Sequence, residues 1–394
     1  MPVSHAVSDP STPADEREDH DISALLQMLG RLTDPRNRRG KRHRLVFILA
    51  CAVVGVLAGA ANFRELGSQV ADIPQRLLVK LGAKWNWFKF CYDHPSEPTL
   101  RRVLGAIDPG ELDLLVGAWL FERAHREDDG TLVIALDGKV LRGAWTDSGD
   151  QVTLFSAMIH GKGVTIGQVR VPEGTNEITQ VKPLLDGLVC QPGQPVVLTF
   201  DAAHTQRETA EYVKGERGFD YMMCVKGNQP SLQQQVLNEC LPLLGKQPGH
   251  VVEERAHGRI NRWTTWTTQA TGIDFPHVCQ AGCIRRDVFT LTGQAISKEY
   301  ALIITSADAD QIGSADLHTH VRGHWGIENK SHYIRDTTWR EDDCHAYTGN
   351  GQHTMATLRN LALGLFRINN IHKIKETTEH ICRDRSRALP LLAT

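Results

Sequence analysis

Residues 131–137, TLVIALD, decide the fold. Upstream of them the apolar residues recur at helical spacing. Here a short apolar run rich in β-branched residues reads as a buried strand. Working outward, residues 151–160 (QVTLFSAMIH) and 164–171 (VTIGQVRV) read as two more strands joined by a glycine-rich turn. Residues 178–189 suit a short helix, 195–201 (PVVLTFD) another buried strand, AHTQRETAEYVKGE a helix, and 219–226 (FDYMMCVK) the next strand. A three-strand meander followed by alternating strand and helix describes an α/β domain with a mixed sheet. Beyond it, 229–245 reads as a helix and 251–305 mostly as strands. The chain then turns helical again, with Leu358, Leu361, Leu365 and Ile368 on one stripe.

The upstream part divides at about residue 128. Residues 1–20 are polar and rich in Ser, Pro and acidic residues, a composition expected to stay disordered. Residues 21–128 read as an all-helical domain. Ile22, Leu25, Leu26 and Leu29 form one stripe, and Leu112, Leu115, Val116, Trp119 and Leu120 another, while Ser96 or Thr99 suits a helix N-cap. Residues 45–61 (LVFILACAVVGVLAGAA) carry no charge, a length at the lower limit of a membrane span, and Gly55 and Gly59 form a GxxxG pair. No second span follows, and frequent alanine and glycine favour a buried helix in a soluble domain.

The 394 residues are 41% hydrophobic and 23% charged, with a formal net charge of −2. Any nucleic-acid site must therefore be a local basic patch. Arg36, Arg38, Arg39, Lys41, Arg42 and Arg44 form one, uninterrupted by acid. Charge in a glycine-containing loop suits DNA phosphates more than bases. Nine scattered cysteines complete no paired zinc motif, and no signal peptide is evident, so a reducing cytoplasm is expected.

Three carboxylates stand out. Asp137 and Asp201 each close an apolar strand, where α/β sheets place their ligands. The third lies in residues 322–343, RGHWGIENKSHYIRDTTWREDD. On a helix His324, Glu328 and His332 share a face with Arg335 about a turn on, and Ile327 and Ile334 could anchor a neighbouring stripe. Convergent carboxylates suit two Mg2+ ions roughly 4 Å apart, which can drive in-line phosphoryl displacement. Lys139, Arg142, Lys226 and Arg335 would suit a phosphate backbone. A zinc site from His324, Glu328 and His332 is possible in spacing but a weaker alternative, because HExxH is absent.

The motifs DPRNRRGKRH, HPSEPTLRRVL, LDGKVLRGA, NEIT (176–179), FDAAHTQ, YMMCVKGNQ, HGR (257–259) and RGHWGIEN followed by WREDD resemble, in number and order, the DDE transposases of bacterial insertion sequences. The similarity is to the ISAs type, which includes the H-repeat-associated proteins, and it spans nearly all of the chain after the tail. It implies an RNase H-like catalytic core over residues 129–394, with a β-rich insertion at about 246–306, and an enzyme that cleaves and joins element ends. Asp137, Asp201 and Glu328 match the DDE triad as catalytic residues and ligands of two Mg2+ ions, with Mn2+ able to substitute. The DNA contacts implied are Arg36, Arg38, Arg39, Lys41, Arg42, Lys139, Arg142, Lys226, Asn228, His324, Asn329, His332 and Arg335. Arg335 stands where relatives often carry an apolar residue. Partners implied are double-stranded DNA, as terminal inverted repeats and target, and a second copy in a homodimer at the nucleoid, with no membrane. An inactive DNA-binding relative and a metal-dependent nuclease remain the alternatives.

Overall fold

The computed structural model describes residues 21–39, 41–125, 130–145, 149–344 and 349–394. The tail expected to be disordered (1–20) and the boundary at Asp128 and Asp129 lie outside the described residues. The N-terminal layer holds α1 (Ser23–Gly30), α2 (Leu45–Leu57), α3 (Phe63–Ala71), α4 (Gln75–Lys80), α5 (Glu97–Leu104) and α6 (Pro109–Ala124). It is not all helical, because a two-stranded hairpin, β1 (Trp85–Asn86) and β2 (Cys91–Tyr92), stands between α4 and α5.

Nine strands follow in one sheet: β3 (Leu132–Trp145), β4 (Gln151–Ile159), β5 (Val164–Arg170), β6 (Val196–Phe200), β7 (Asp220–Val225), β8 (His250–Ala256), β9 (Arg259–Gln269), β10 (Gln280–Thr290) and β11 (Ala295–Thr305). Their order is β5-β4-β3-β6-β7-β11-β10-β9-β8. The β3–β4–β5 meander is antiparallel, and β3, β6 and β7 are parallel. Crossovers through α7 (Val181–Asp186) and α8 (Arg207–Ala210) allow those parallel pairings. The strand-rich stretch read as an insertion joins this sheet, since β11 pairs antiparallel with β7. The remaining α-helices are α9 (Pro230–Cys240), α10 (Ser314–His324), α11 (Tyr333–Trp339), α12 (Gly351–Ile368), α13 (Ile374–Arg383) and α14 (Leu389–Leu392).

The N-terminal helices were expected to form a domain of their own, but one hydrophobic core runs from Ile22 through α2, α6, the sheet and α12 to Leu392. Only Val46 in α2 escapes full burial, and α2 packs on α1, α3, α12 and α13. A helix apolar all round needs neighbours on every side, and the C-terminal helices supply them. Among the described residues no helix is long and apolar enough to cross a membrane. Two buried donors from the C-terminal part also satisfy carbonyls at or just past the end of α2: Trp339 Nε1 donates to Val56 O at 2.8 Å and an Arg359 Nη to Ala61 O at 2.7 Å.

Candidate active site

The site begins at a fork in the sheet. The parallel pairing of β3 with β6 runs from Leu132 opposite Val196 to Ala135 opposite Thr199. Asp137 and Asp201 each follow their last paired residue by two, so the two carboxylates stand at one level on adjacent strands and on one face. Asp137 does not end its strand, contrary to the expectation. β3 continues to Trp145 because β4 goes on pairing with it, with Asp137 opposite Ser156. Asp201 does follow the end of β6, and its Oδ1 accepts from the Ala203 and His204 backbone N–H groups at 3.0 and 3.3 Å. Both carboxylates thus emerge where β3 and β6 part.

The face they share carries the α10–α11 segment. Ala135 packs with Met158 and the buried Ile327, the anchor expected from sequence. Thr199, paired opposite Ala135, holds His324 Nδ1 at 3.0 Å and His160 Nε2 at 2.9 Å. The close approach needs Gly323, because a Cβ there would meet His160 Nδ1 at 2.4 Å. The segment is not one regular helix. α10 ends at His324, and residues Glu328–His332 form a π-helical turn before α11. Such widened turns disturb the 3.6-residue period and are frequent at functional sites. His324 and His332 still face the fork, with His332 Nδ1 at 3.7 Å from Asp137 Oδ2, while Arg335 turns into the core.

A fourth carboxylate belongs here. Glu177 precedes α7, and its carboxylate lies over the Cα of Gly138, where a Cβ would meet it at 1.9 Å. Its Oε2 is 3.7 Å from Nε2 of the buried His204. Burial, then Glu177, then Glu328 and Asp201 push the Asp137 carboxyl up to about 7, against one opposing backbone hydrogen bond at Gly138. Glu177 outranks Glu328 and Asp201 in that field. Sequence reading noted it only within NEIT and gave it no role. The available signals were a glutamate in that motif and a glycine directly after Asp137. Burial, followed by the charges of Arg335 and Lys139, lowers His332 to about 3. Burial likewise lowers His324 to about 4, although Asp201 opposes it. Both imidazoles are neutral at neutral pH.

Asp137 and Asp201 thus stand at one level of the fork, and Glu328 lies on the π-helical turn of the facing segment. The family described as "Transposase DDE domain" matches residues 128–365, and one described as "DDE_Tnp_1-associated" matches residues 26–120. The chain is a DDE transposase of the ISAs type. It is 26% identical over 388 residues to the "H repeat-associated putative transposase YhhI" of Escherichia coli (strain K12), covering 95% of this chain and 98% of that one. It is 27% identical to the "Putative transposase YncI" of Escherichia coli O157:H7, covering 88% of each. A cryo-EM piggyBac transposase synaptic complex with hairpin DNA overlaps at a TM-score of 0.39 and 10% identity, covering 95% of this chain and 79% of that one. That overlap is too loose to bear on the site.

The transposase treats its expected DNA-contacting residues unequally. Arg335 is fully buried: its Nη atoms donate to Asn360 at 3.1 Å and to Glu341 at 2.8 Å. Lys139 is also buried and pairs with Asp336 at 2.7 Å. Both serve the fold, because an unpaired charge in either place would be costly. His324 and His332 are buried against the strands and present no face to a phosphate. Arg36 and Lys41 both pair with Asp34 at 2.9 Å, and Arg42 pairs with Asp93. The basic run lacks acid within itself, but acids from before it and from the hairpin side neutralise part of it. Arg38, Arg39, Arg42, Arg142, Lys226, Asn228 and Asn329 are exposed. Lys226 follows β7, on the same sheet edge as Asp201, and Asn228 Nδ2 donates to Ala202 O at 2.7 Å, bracing the loop after Asp201.

Among the described residues no group of three or more His, Cys, Asp or Glu side chains is placed to hold a metal ion. The donor set nevertheless fits a hard divalent ion. The charges of Glu177, Glu328 and Asp201 all oppose ionisation of Asp137, and a cation would relieve that repulsion. Of the two imidazoles, one is held on Thr199 and the other lies 3.7 Å from the Asp137 carboxylate.

Proposed function

We propose that the transposase cleaves and joins insertion-sequence ends at the β3–β6 fork of an RNase H-like core, with Asp137, Asp201 and Glu328 as the metal-holding triad. The observation that carries this reading is the register: Asp137 and Asp201 fall at one level on adjacent parallel strands, facing the segment that bears Glu328. The meander followed by two parallel strands supports the RNase H-like assignment. Two Mg2+ ions, or Mn2+ in their place, would supply activation of the attacking hydroxyl and stabilisation of the leaving oxygen.

The chain's own residues prepare that chemistry. The strands fix Asp137 and Asp201 at the spacing of neighbouring strands, about 4.8 Å. His332, neutral and buried, stands with Nδ1 3.7 Å from Asp137 Oδ2. Glu328 is exposed on the π-helical turn, and its charge reaches Asp137. Arg38, Arg39, Arg42, Arg142, Lys226 and Asn329 hold the DNA backbone, and a homodimer brings two ends together at the nucleoid. Strand cleavage and joining on duplexes carrying the element's terminal repeats tests the reading. Wild type should do both, and Asp201→Asn should do neither while keeping duplex affinity. Cleavage without any joining would support a nuclease instead.

A further inference from the structure

The β1–β2 hairpin presents aromatic rings to solvent with nothing to cover them. Trp87 is 77% exposed, Phe88 98% and Phe90 77%. Exposed rings scattered singly need no explanation, but three within four residues form a patch that marks an interaction site. Phe90 also adopts φ of 50°, a left-handed conformation unusual for a bulky residue. Exposure and strain together bring the free chain no benefit.

The tip is held rigid rather than left loose. Asn86 Oδ1 accepts from the Phe88 and Lys89 backbone N–H groups at 3.0 and 3.3 Å. Gln75 on α4 clamps β2 from both sides: the Tyr92 N–H donates to its Oε1 at 2.7 Å and its Nε2 donates to Tyr92 O at 3.2 Å. An edge-to-face ladder runs outward, Tyr92 to Trp85 at 5.0 Å and Trp85 to Trp87 at 6.3 Å. A Trp87 ring held this way loses little further entropy on binding.

Charge identifies the partner. Asp93 binds the hairpin and the basic loop into one surface: it accepts from Lys89 at 3.1 Å and Asn86 at 3.4 Å, and it pairs with Arg42. A cavity of about 290 Å3 between them is lined by Arg42, Lys84, Trp87 and Phe88 among others. Lys84 and Lys89 are exposed beside the rings. Cations flanking rigid aromatic faces match a strand of nucleic acid with its bases unstacked, phosphates on the cations and bases on the rings. A second copy of this chain, with its own basic hairpin, would bring like charges together.

We propose that Trp87 and Phe88 stack on unpaired bases of the DNA that the transposase engages, with Lys84, Lys89 and Arg42 on the adjoining phosphates. The proposal rests on this chain's action on DNA, but not on the placement of its catalytic triad. The test measures affinity of the full chain for a labelled blunt duplex and for the same duplex carrying a short single-stranded tail. Wild type should prefer the tailed duplex. Trp87→Ala and Phe88→Ala should each weaken tailed-duplex binding about tenfold, within the range of one lost base–aromatic stack. Blunt-duplex binding and the salt dependence should stay as in wild type, and Trp87→Phe should restore most of the loss. 2-Aminopurine in the tail should be quenched by wild type and released in Trp87→Ala. Equal weakening on both duplexes, or none on either, overturns the proposal while leaving the transposase reading intact. So does wild-type self-association in sedimentation without DNA that Trp87→Ala and Phe88→Ala abolish, since a second copy would then cover the tip. Failure of wild type to bind either duplex would count against the DNA-acting reading itself.

Discussion

Replacing Glu341 by Gln removes the one carboxylate that lies between Arg335 and Arg359, all three within the core. Both guanidinium groups keep a neutral acceptor, Asn360 Oδ1 for Arg335 and Ala61 O for Arg359, but among the described residues neither keeps an ion-pair partner. Breaking a buried pair in this way costs about 3–5 kcal/mol. The Glu341 carboxyl gives a second measure. Burial alone would raise it, yet the charges of Arg335 and Arg359 hold it at about 2 against an ordinary 4.5. By linkage that depression amounts to roughly 3 kcal/mol. A depressed carboxyl contributes stability that is present above its unfolded value of 4.5 and is lost as pH falls toward about 2. Urea unfolding at neutral pH should therefore show Glu341→Gln destabilised by about 3–5 kcal/mol. Wild type should lose a similar increment on acidification below 4.5, and the variant should lose less. Adding Arg335→Met to the variant should recover part of the deficit. A variant within about 1 kcal/mol of wild type, the scale of an exposed pair, would refute the assignment of Arg335 to the core. So would loss of DNA affinity without loss of stability.

Three other outcomes follow from the geometry. Arg38→Ala and Arg39→Ala should weaken binding to all DNA sequences alike and reduce the salt slope by about 1 each, whereas Arg36→Ala, tied to Asp34, should mainly lower the unfolding midpoint; selective loss on element ends with an unchanged slope would contradict this. Burial and the charges of Glu177, Glu328 and Asp201 hold the Asp137 carboxyl near 7, so calorimetric Mn2+ affinity should rise with pH through about 7 with proton release. Its stability contribution without metal is fully present below 3.8 and lost as pH rises through about 7. A pH-independent affinity would remove the basis for that shift. Gly138→Ala places a Cβ within 2.5 Å of both Glu177 carboxylate oxygens, so it should displace Glu177 and lower cleavage and Mn2+ affinity while urea unfolding changes little; unaltered metal binding would exclude Glu177 from the site.

The strands were legible because each is a short apolar run bounded by turns: β4, β5, β6 and β7 fall close to where their residues suggest, and β3 starts there but runs on to Trp145. Their pairing was not legible. That Asp137 lies mid-strand depends on β4 continuing beside β3 after β6 has ended, a tertiary fact. The helical N-terminal layer was legible as helices but not as part of a shared core, because the apolar face of α2 does not say which neighbours cover it. Arg335 was misread for a definite reason. A 3.6-residue period carries it toward the site, whereas the π-helical turn at Glu328–His332 shifts the later residues and sends it to Glu341. Arg36 and Lys41 look like free charge when only residues 36–44 are read; Asp34, two positions earlier, claims both. The hairpin aromatics lie in WNWFKF, where no period distinguishes exposed rings from a core strand.

The central claim is that Asp137, Asp201 and Glu328 act on one divalent-metal site. Its most direct test is Mn2+ titration by calorimetry on wild type, Asp137→Asn, Asp201→Asn and Glu328→Gln, with strand cleavage measured on the same preparations. The structure predicts that each substitution weakens Mn2+ binding and abolishes cleavage while DNA affinity and unfolding stay near wild type. Undiminished cleavage by Glu328→Gln, or wild-type Mn2+ affinity in either aspartate variant, would contradict it.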